Sequence, residues 1–362
     1  MNIAMFGLTD LYGGVENFIV NTYRQLKSTE NKFYFITSYE NIKYMDFIEK
    51  DDSIICYTSR RKNAFKSYSD LYNFFSTTKI DIVWYNTCSL SDISPLIIAK
   101  RFNVKKIILH SHNGDNMGGF FTKVMHNVNK IIVDRYVTDY FSCSPKATQW
   151  MFNKKKYKEV VYINNAIDTD LFLFNQDKQR ELKKRYGVED CLVIGHVGRF
   201  HTQKNHLFLI DVFLEFKKLN FESKLFLCGT GDLMTEVKNK VNSLNLSDSV
   251  IFLGQVQNMS EIYQMFDCFL FPSLYEGLPF SLIEAQAAGL KCLVSDSISE
   301  SVNLTGLIEF ESLQCSAAEW ASKLNELDKT RINTSLELKK AGYDLKCNQE
   351  KIKKLLKIGK KY

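Results

Sequence analysis

The sequence predicts an α/β protein built from two doubly wound, Rossmann-like parallel sheets, and three observations predict it. Short β-branched and apolar runs alternate with longer helix-periodic segments from end to end, the pattern of parallel strands joined by covering helices. Each half opens with the same device, a strand, a glycine-bearing loop and a helix: NIAMFGLTDLYGGVENFIVN from Asn2 and CLVIGHVGRFHTQKNHLFLI from Cys191. The chain of 362 residues, 45% hydrophobic and 24% charged, is long enough to bury two cores and too apolar for disorder.

Strands are predicted in the first half at Ile3–Phe6, Phe33–Thr37, Ser53–Tyr57, Ile82–Tyr85, Lys106–His110, Tyr140–Cys143 and Val160–Ile163. In the second half they fall at Cys191–Val197, Lys224–Cys228, Val250–Leu253, Cys268–Phe271 and Cys292–Ser295. Between the halves, Asn164–Phe174 and the charged helix Asp177–Tyr186 read as a hinge. The lysine-rich stretch Ser335–Lys360 carries apolar positions at helical spacing and reads as one amphipathic helix. The expected division is therefore 1–165, 166–334 and a terminal segment 335–362 returning to the first domain.

The nine cysteines are scattered singly, several within strand patterns, and no C-x-x-C spacing suits zinc; reduced core thiols are expected. The first residues, MNIAMFGLTD, run straight into a strand pattern without the basic start and apolar stretch of a secretory signal, and no apolar run has the length of a membrane span. The cytoplasm is the expected compartment. The net charge of +6 is segregated: 22 − 15 gives +7 over residues 1–165, 15 − 23 gives −8 over 166–330, and 10 − 3 gives +7 over 331–362. Such segregation points to an anionic partner. No nucleic-acid recognition motif accompanies the charge, which leaves an anionic membrane surface. Basic clusters at Arg60–Lys62, Lys105–Lys106 and Lys154–Lys156, with Phe120 and Phe121 close by, would place it on the first domain.

The most informative segment is FPSLYEGLPFSLIEAQAAG, Phe271–Gly289. A buried strand ends at Phe271, the loop carries Glu276 and Gly277, Phe280 or Ser281 starts a helix, and Gly289 closes it. Glu284 then lies about one turn into the helix, and the amides of Leu278, Phe280 and Ser281 form an anion-binding end between the two acids. A nucleotide diphosphate sugar needs this set: amides for phosphate, one carboxylate for sugar hydroxyls and another for ribose hydroxyls. The two glycine loops suit phosphate for the same reason, and two copies imply a ligand in a cleft between domains.

This segment resembles the Glu-x7-Glu signature of the retaining GT-B glycosyltransferases often called family four. The resemblance covers almost the whole chain: Gly13–Glu16, HSHN at His110–Asn113, CSPKATQWMF at Cys143–Phe152, NNAID at Asn164–Asp168, GRFHTQKNH at Gly198–His206, and CGTGDL at Cys228–Leu233. SDSISESVNLTGLIEF is similar to the stretch found in members encoded among bacterial capsule, exopolysaccharide and O-antigen genes. The resemblance implies transfer of a hexose-type sugar from a nucleotide diphosphate donor, UDP before GDP, to a saccharide or undecaprenyl-diphosphate-linked saccharide. No cofactor is implied beyond that co-substrate.

By position, the resemblance assigns Arg199 and Lys204 to the donor diphosphate, Glu276 to the transferred sugar, and Gly13 and Gly14 to the same phosphates. It puts His112 near the anomeric centre, a role it fits better than His110, which alternation keeps within the strand. The base is expected near Val256. His196, His201 and His206 are expected to cap or pack around the Gly198–His206 loop. The Asp168–Thr169–Asp170 triplet has the D-x-D spelling of a metal site, yet it lies in the hinge, where the family has an acid and a later aromatic residue, here Phe172; no metal is expected. Gly229 and Gly231 mimic part of a dinucleotide fingerprint, but position 234 is Met. An epimerase of the same fold and a non-catalytic partner subunit remain the alternatives.

Overall fold

The computed structural model describes residues 1–10, 13–27, 30–40, 48–49, 51–114, 119–277 and 279–356. The chain forms two compact units, residues 1–166 with 346–362, and residues 167–345.

The first unit runs β1 (Asn2–Phe6), α1 (Gly14–Leu26), β2 (Lys32–Thr37), β3 (Ser53–Cys56), α2 (Ala64–Thr77), β4 (Ile82–Thr87), α3 (Ser94–Arg101), β5 (Lys106–Ser111), α4 (Phe120–Ile132), β6 (Asp139–Ser142), α5 (Pro145–Met151) and β7 (Val161–Tyr162). Among the described residues these strands make a seven-stranded parallel sheet in the order β3-β2-β1-β4-β5-β6-β7. Its central strands are apolar on both faces, because helices cover both sides: Ile3, Ala4, Met5, Val83, Trp84, Ile107 and Ile108 have no exposure. The order reverses between β1 and β4, and there Gly7 adopts φ +119, with Asn86 O only 2.8 Å from where a Cβ would sit. Glycine alone tolerates that combination.

The second unit runs α6 (Thr169–Phe172), α7 (Gln176–Tyr186), β8 (Leu192–Val197), α8 (His206–Leu219), β9 (Ser223–Cys228), α9 (Met234–Ser243), β10 (Val250–Gly254), α10 (Met259–Met265), β11 (Cys268–Phe271), α11 (Phe280–Ala287), β12 (Cys292–Ser295), β13 (Ile308–Glu311), α12 (Ala317–Glu326) and α13 (Ser335–Lys340). Among the described residues its six-stranded parallel sheet has the order β10-β9-β8-β11-β12-β13. The predicted strands are present within a residue or two of their expected ends. β13 was not anticipated: IEFE places two glutamates in an edge strand, where one flank is free of the ladder.

The terminal segment differs from the single helix expected over 335–360. It splits at Gly342, where φ is +80, the amide of Tyr343 donates to Leu338 O and that of Gly342 to Lys339 O. That pair of bonds is a Schellman stop, which ends α13. Leu338 is buried in the second unit's core. The chain then starts α14 (Leu345–Leu356), whose Ile352 and Leu356 join the first unit's core while Gln349 Nε2 donates to Gln25 O.

Candidate functional site

In an open doubly wound sheet, ligands sit beyond the C-terminal strand ends where the order reverses. In the second unit that point lies between β8 and β11, so residues 198–205 and 272–277 emerge side by side. Asn205, left-handed at φ 55, donates from Nδ2 to Pro272 O at 3.2 Å, and Leu274 N donates to Gln203 O at 2.8 Å. The two loops are thus one structure.

Lys204 and Glu276 meet within it. Lys204 Nζ lies 2.6 Å from Glu276 Oε1, with side chains 15% and 8% exposed, and 4.5 Å from the centre of the Phe271 ring. The lysine stem crosses Gly198, where a Cβ would come 3.0 Å from both Cδ and Cε. Burial pushes the Lys204 ammonium down from its usual range, and the Glu276 carboxylate opposes that shift. The second Glu276 oxygen, Oε2, accepts from Gln203 Nε2 at 3.0 Å, and the same amide donates to Tyr275 O at 2.8 Å. Gln203 was not foreseen as a site residue; its position beside Lys204 was the available signal.

The remaining predicted donor residues are distributed around this pair. Arg199 is in the same loop but exposed, so the structure does not bring it into the buried pair with Lys204. α11 begins at Phe280 after Pro279, and no side chain caps its N-terminus, leaving the leading amides of Phe280 and Ser281 without a side-chain acceptor. Gly277 is exposed with open space where a Cβ would point, and Leu278 lies outside the described residues. Glu284, one turn into α11, is half-buried, and burial pushes its carboxyl up to about 7 against the pull of the Tyr263 hydroxyl. Val256 follows β10 and packs partly buried on the core.

Supporting glycines and histidines surround the loop. A Cβ on Gly229 would reach 2.1 Å from Gly198 O, and one on Gly231 2.4 Å from Phe200 O, so both glycines serve close loop packing. His206 stacks on Phe200 at 4.1 Å and meets His196 edge-on at 4.8 Å. Burial holds both imidazoles neutral, that of His206 at about 4. His201 Nδ1 accepts from Gln203 N at 3.4 Å and caps the turn that carries Lys204. In the hinge, Asp168 Oδ1 accepts from Asp170 N and so caps α6, Asp170 lies 3.5 Å from Lys339, and Phe172 is buried. Among the described residues no cluster of three His, Cys, Asp or Glu side chains could hold a metal ion.

In the first unit, Gly13 caps α1 with extended backbone at φ −143 and no side-chain cap, and Gly14 opens the helix. A Cβ on Gly13 would come 2.9 Å from Oε2 of the buried Glu16, whose Oε1 accepts from Thr9 Oγ1 at 2.6 Å. His112 is the first residue past β5. Its Nε2 lies 2.9 Å from Asn86 Oδ1, while Asn86 Nδ2 donates to Phe6 O at 3.0 Å. The asparagine therefore presents oxygen, so His112 carries its hydrogen on Nε2. Burial pushes the ring down to about 3, and Nδ1 is a buried acceptor with no partner among the described residues. His110 is fully buried, takes a bond from Trp84 Nε1 at 3.4 Å, and packs 4.0 Å from His112.

Two parallel sheets with their loops at the C-terminal edges define a protein of the GT-B architecture. HepE of Anabaena, solved in complex with UDP, matches with a TM-score of 0.79 over 98% of this chain and 99% of that one, at 16% identity. A family model described as glycosyl transferases group 1 matches residues 177–341. The putative glycosyltransferase EpsF of Bacillus subtilis is 31% identical over 326 residues, 86% of this chain and 84% of that protein. The chain belongs to the group 1 glycosyltransferases. It is also 25% identical, over 82% of its length and 79% of the other's, to the UDP-Gal:alpha-D-GlcNAc-diphosphoundecaprenol alpha-1,3-galactosyltransferase of Escherichia coli.

The raised Glu284 carboxyl makes a prediction with a definite sign. Between its ordinary value of 4.5 and about 7 the folded chain keeps a proton that the unfolded chain has lost, so this group subtracts stability as pH rises through that window. Glu284→Gln removes the effect. Its stability relative to the parent, from urea unfolding at each pH, should increase by about 3 kcal/mol across the window. A difference that does not change with pH contradicts the elevated carboxyl.

Proposed function

We infer that this chain is a retaining, metal-independent glycosyltransferase that moves a hexose-type sugar from a UDP-sugar to a saccharide or undecaprenyl-diphosphate-linked saccharide. Bacterial surface polysaccharide synthesis at the cytoplasmic side of the cell membrane is the proposed setting. The observation that carries the reading is the Lys204–Glu276 pair at 2.6 Å, held beside the uncapped start of α11. UDP in the HepE structure and the lipid-linked acceptor in the name of the Escherichia coli relative support the choice of donor and acceptor.

In the proposed reaction, the bond between the anomeric carbon and the β-phosphate oxygen breaks while the acceptor oxygen bonds to the same face of that carbon. The acceptor's proton passes to the departing phosphate oxygen. Negative charge gathers on the diphosphate, and Lys204, Arg199 and the Phe280 and Ser281 amides stabilise it in place of a metal ion. An arriving diphosphate competes with Glu276 for Lys204, which frees the carboxylate to accept from sugar hydroxyls. Glu284 accepts from the ribose, and Val256 lies by the base. Gly13 and Gly14 let the first amides of α1 approach the phosphates, and neutral His112 offers Nδ1 to a hydroxyl of the transferred sugar.

Glu276→Ala and Lys204→Ala should each lower turnover at least a hundredfold, about 3 kcal/mol of transition-state stabilisation, with unchanged circular dichroism. The assay is steady-state release of UDP with detection of a new glycoside by the purified chain. It also separates transfer from donor epimerisation and from a non-catalytic subunit. Near-parent rates in either variant remove the site assignment.

The anomeric configuration of the donor should persist in the product, read from the proton NMR coupling of the new linkage; an inverted product rules out the proposed stereochemistry.

Turnover should continue in excess EDTA, and Asp170→Asn should keep the parent rate, since Asp168 and Asp170 serve a helix cap and a lysine contact. Loss of activity with chelator and its recovery with magnesium or manganese would show that a metal ion takes the part given to Lys204 and Arg199.

A further inference from the structure

The polarity of α4 is inverted relative to a helix that covers a sheet. Five of its apolar residues point outward: Phe120 is 85% exposed, Phe121 75%, Val124 40%, Val128 51% and Ile131 74%. At 3.6 residues per turn these positions form one continuous stripe. The two buried residues of the helix are polar, and Ile132 packs partly on the core. His126 accepts from Leu90 N at Nδ1 and donates from Nε2 to Trp150 O, both at 3.0 Å, with its ring stacked 3.8 Å from that of Trp150. Asn129 Nδ2 donates to Leu90 O at 2.6 Å. Attachment through satisfied polar groups holds the helix with its apolar side in water, where each large side chain forgoes roughly 1.5–3 kcal/mol of burial.

One edge of the stripe carries a lysine, and the segment tied to the helix is rich in them. No Asp or Glu occurs in α4, and Lys123 is exposed on its edge. Trp150 and the bonds from Lys130 Nζ to Gln149 O and Trp150 O tie the following segment to the helix, and that segment carries Lys146, Lys154, Lys155 and Lys158, all exposed. From residue 119 to residue 158 there are eight Lys and Arg against two Asp. Lys155 lies 3.4 Å from Asp134, and Lys156 is paired with Glu159. The other basic clusters of the sequence are partly spent elsewhere, Arg60 on Asp92 at 3.4 Å and Lys106 on Asp139 at 3.0 Å.

An apolar stripe with an edge lysine and a lysine-rich neighbouring segment matches one surface in both respects, an anionic bilayer: acyl chains take the stripe and phosphate headgroups take the lysines. A second copy of the chain fits less well, because a two-fold contact would set the same lysines against themselves. Thirteen residues at 1.5 Å each give a rod of about 20 Å, too short to span a bilayer, and among the described residues no helix is long and apolar enough to cross one. We propose that α4 is an in-plane anchor, lying in the headgroup layer of an anionic membrane with Phe120, Phe121, Val124, Val128 and Ile131 among the acyl chains. The anchor stands on this face of the first unit and does not depend on the reaction proposed above.

The test is co-sedimentation of the full chain with vesicles of phosphatidylcholine, with and without phosphatidylglycerol, at low and high salt. The parent should bind the phosphatidylglycerol vesicles, more tightly at low salt. Replacing Phe120, Phe121 and Ile131 together by Ser should lower the partition coefficient at least tenfold at both salts with an unchanged melting temperature, since all three are exposed. Replacing Lys154 and Lys155 by Glu should remove the salt-sensitive part of the binding. A Phe121→Trp variant should be quenched by lipids brominated on the acyl chain, which reports insertion and not mere adsorption. Equal binding of the parent and the triple variant overturns the proposal, as does absence of binding to either vesicle. Sedimentation velocity showing a parent dimer that the triple variant dissolves, without vesicle binding, would make the stripe a subunit contact instead.

Discussion

The ion pair between Lys204 and Glu276 is the contact on which the second unit's functional loops depend. Two charges at 15% and 8% exposure cost several kcal/mol to desolvate, and their attraction offsets this only where geometry and further hydrogen bonds are good. The chain meets both conditions at once. Gln203 holds the second carboxylate oxygen, Gly198 leaves room for the lysine stem, and the Phe271 ring lies under the ammonium. Neutral His196 and His206 pack around the loop, where a charged imidazole would repel the lysine. Gly229 and Gly231 follow from the same need, because only glycine allows the neighbouring loop to lie against Gly198 and Phe200. The pair is in place before any ligand arrives, so the loop holds Lys204 at a fixed position, and on the function proposed above a diphosphate takes the lysine over from Glu276.

The two units solve a common problem with different side chains. Each brings a strand into a glycine loop and starts a helix whose first amides lack a side-chain cap, the arrangement that suits phosphate. In the first unit the group beside the loop is an acid, Glu16, held by Thr9, and the neighbouring imidazole is kept neutral. In the second unit a cation occupies the loop. On the function proposed above, the cationic contribution to a donor diphosphate falls to this second loop.

Much of this fold was legible because parallel strands covered on both faces read as unbroken apolar runs, as IAMF, IVWY and CFLF do. β13 was not legible, since Glu309 and Glu311 interrupt its run and an edge position permits them. The break between α13 and α14 had a signal in Gly342, but periodicity across it outweighed one glycine. At the site, Glu276, Glu284 and Lys204 stood out through the motifs around them. Their arrangement did not: Lys204 and Glu276 lie far apart in sequence and meet only because β8 and β11 are neighbours at the reversal of strand order. The same limit hid Asn86, which fixes the tautomer of His112 across adjacent strands.

The helices α4 and α14 mark where pattern stops determining placement. Both are amphipathic, both carry lysines, and both belong to the first unit. Periodicity identifies an apolar face in each but does not state what that face touches. α14 buries Ile352 and Leu356 in the core, as an apolar face usually does. α4 does the reverse because its other face carries His126 and Asn129 at the spacing needed to meet Leu90 and Trp150, so polar bonds, once made, leave no route by which the stripe can reach the core. An outward stripe on a firmly held helix is therefore a property of the folded unit, set by two polar side chains, and any account of what covers it must begin from them.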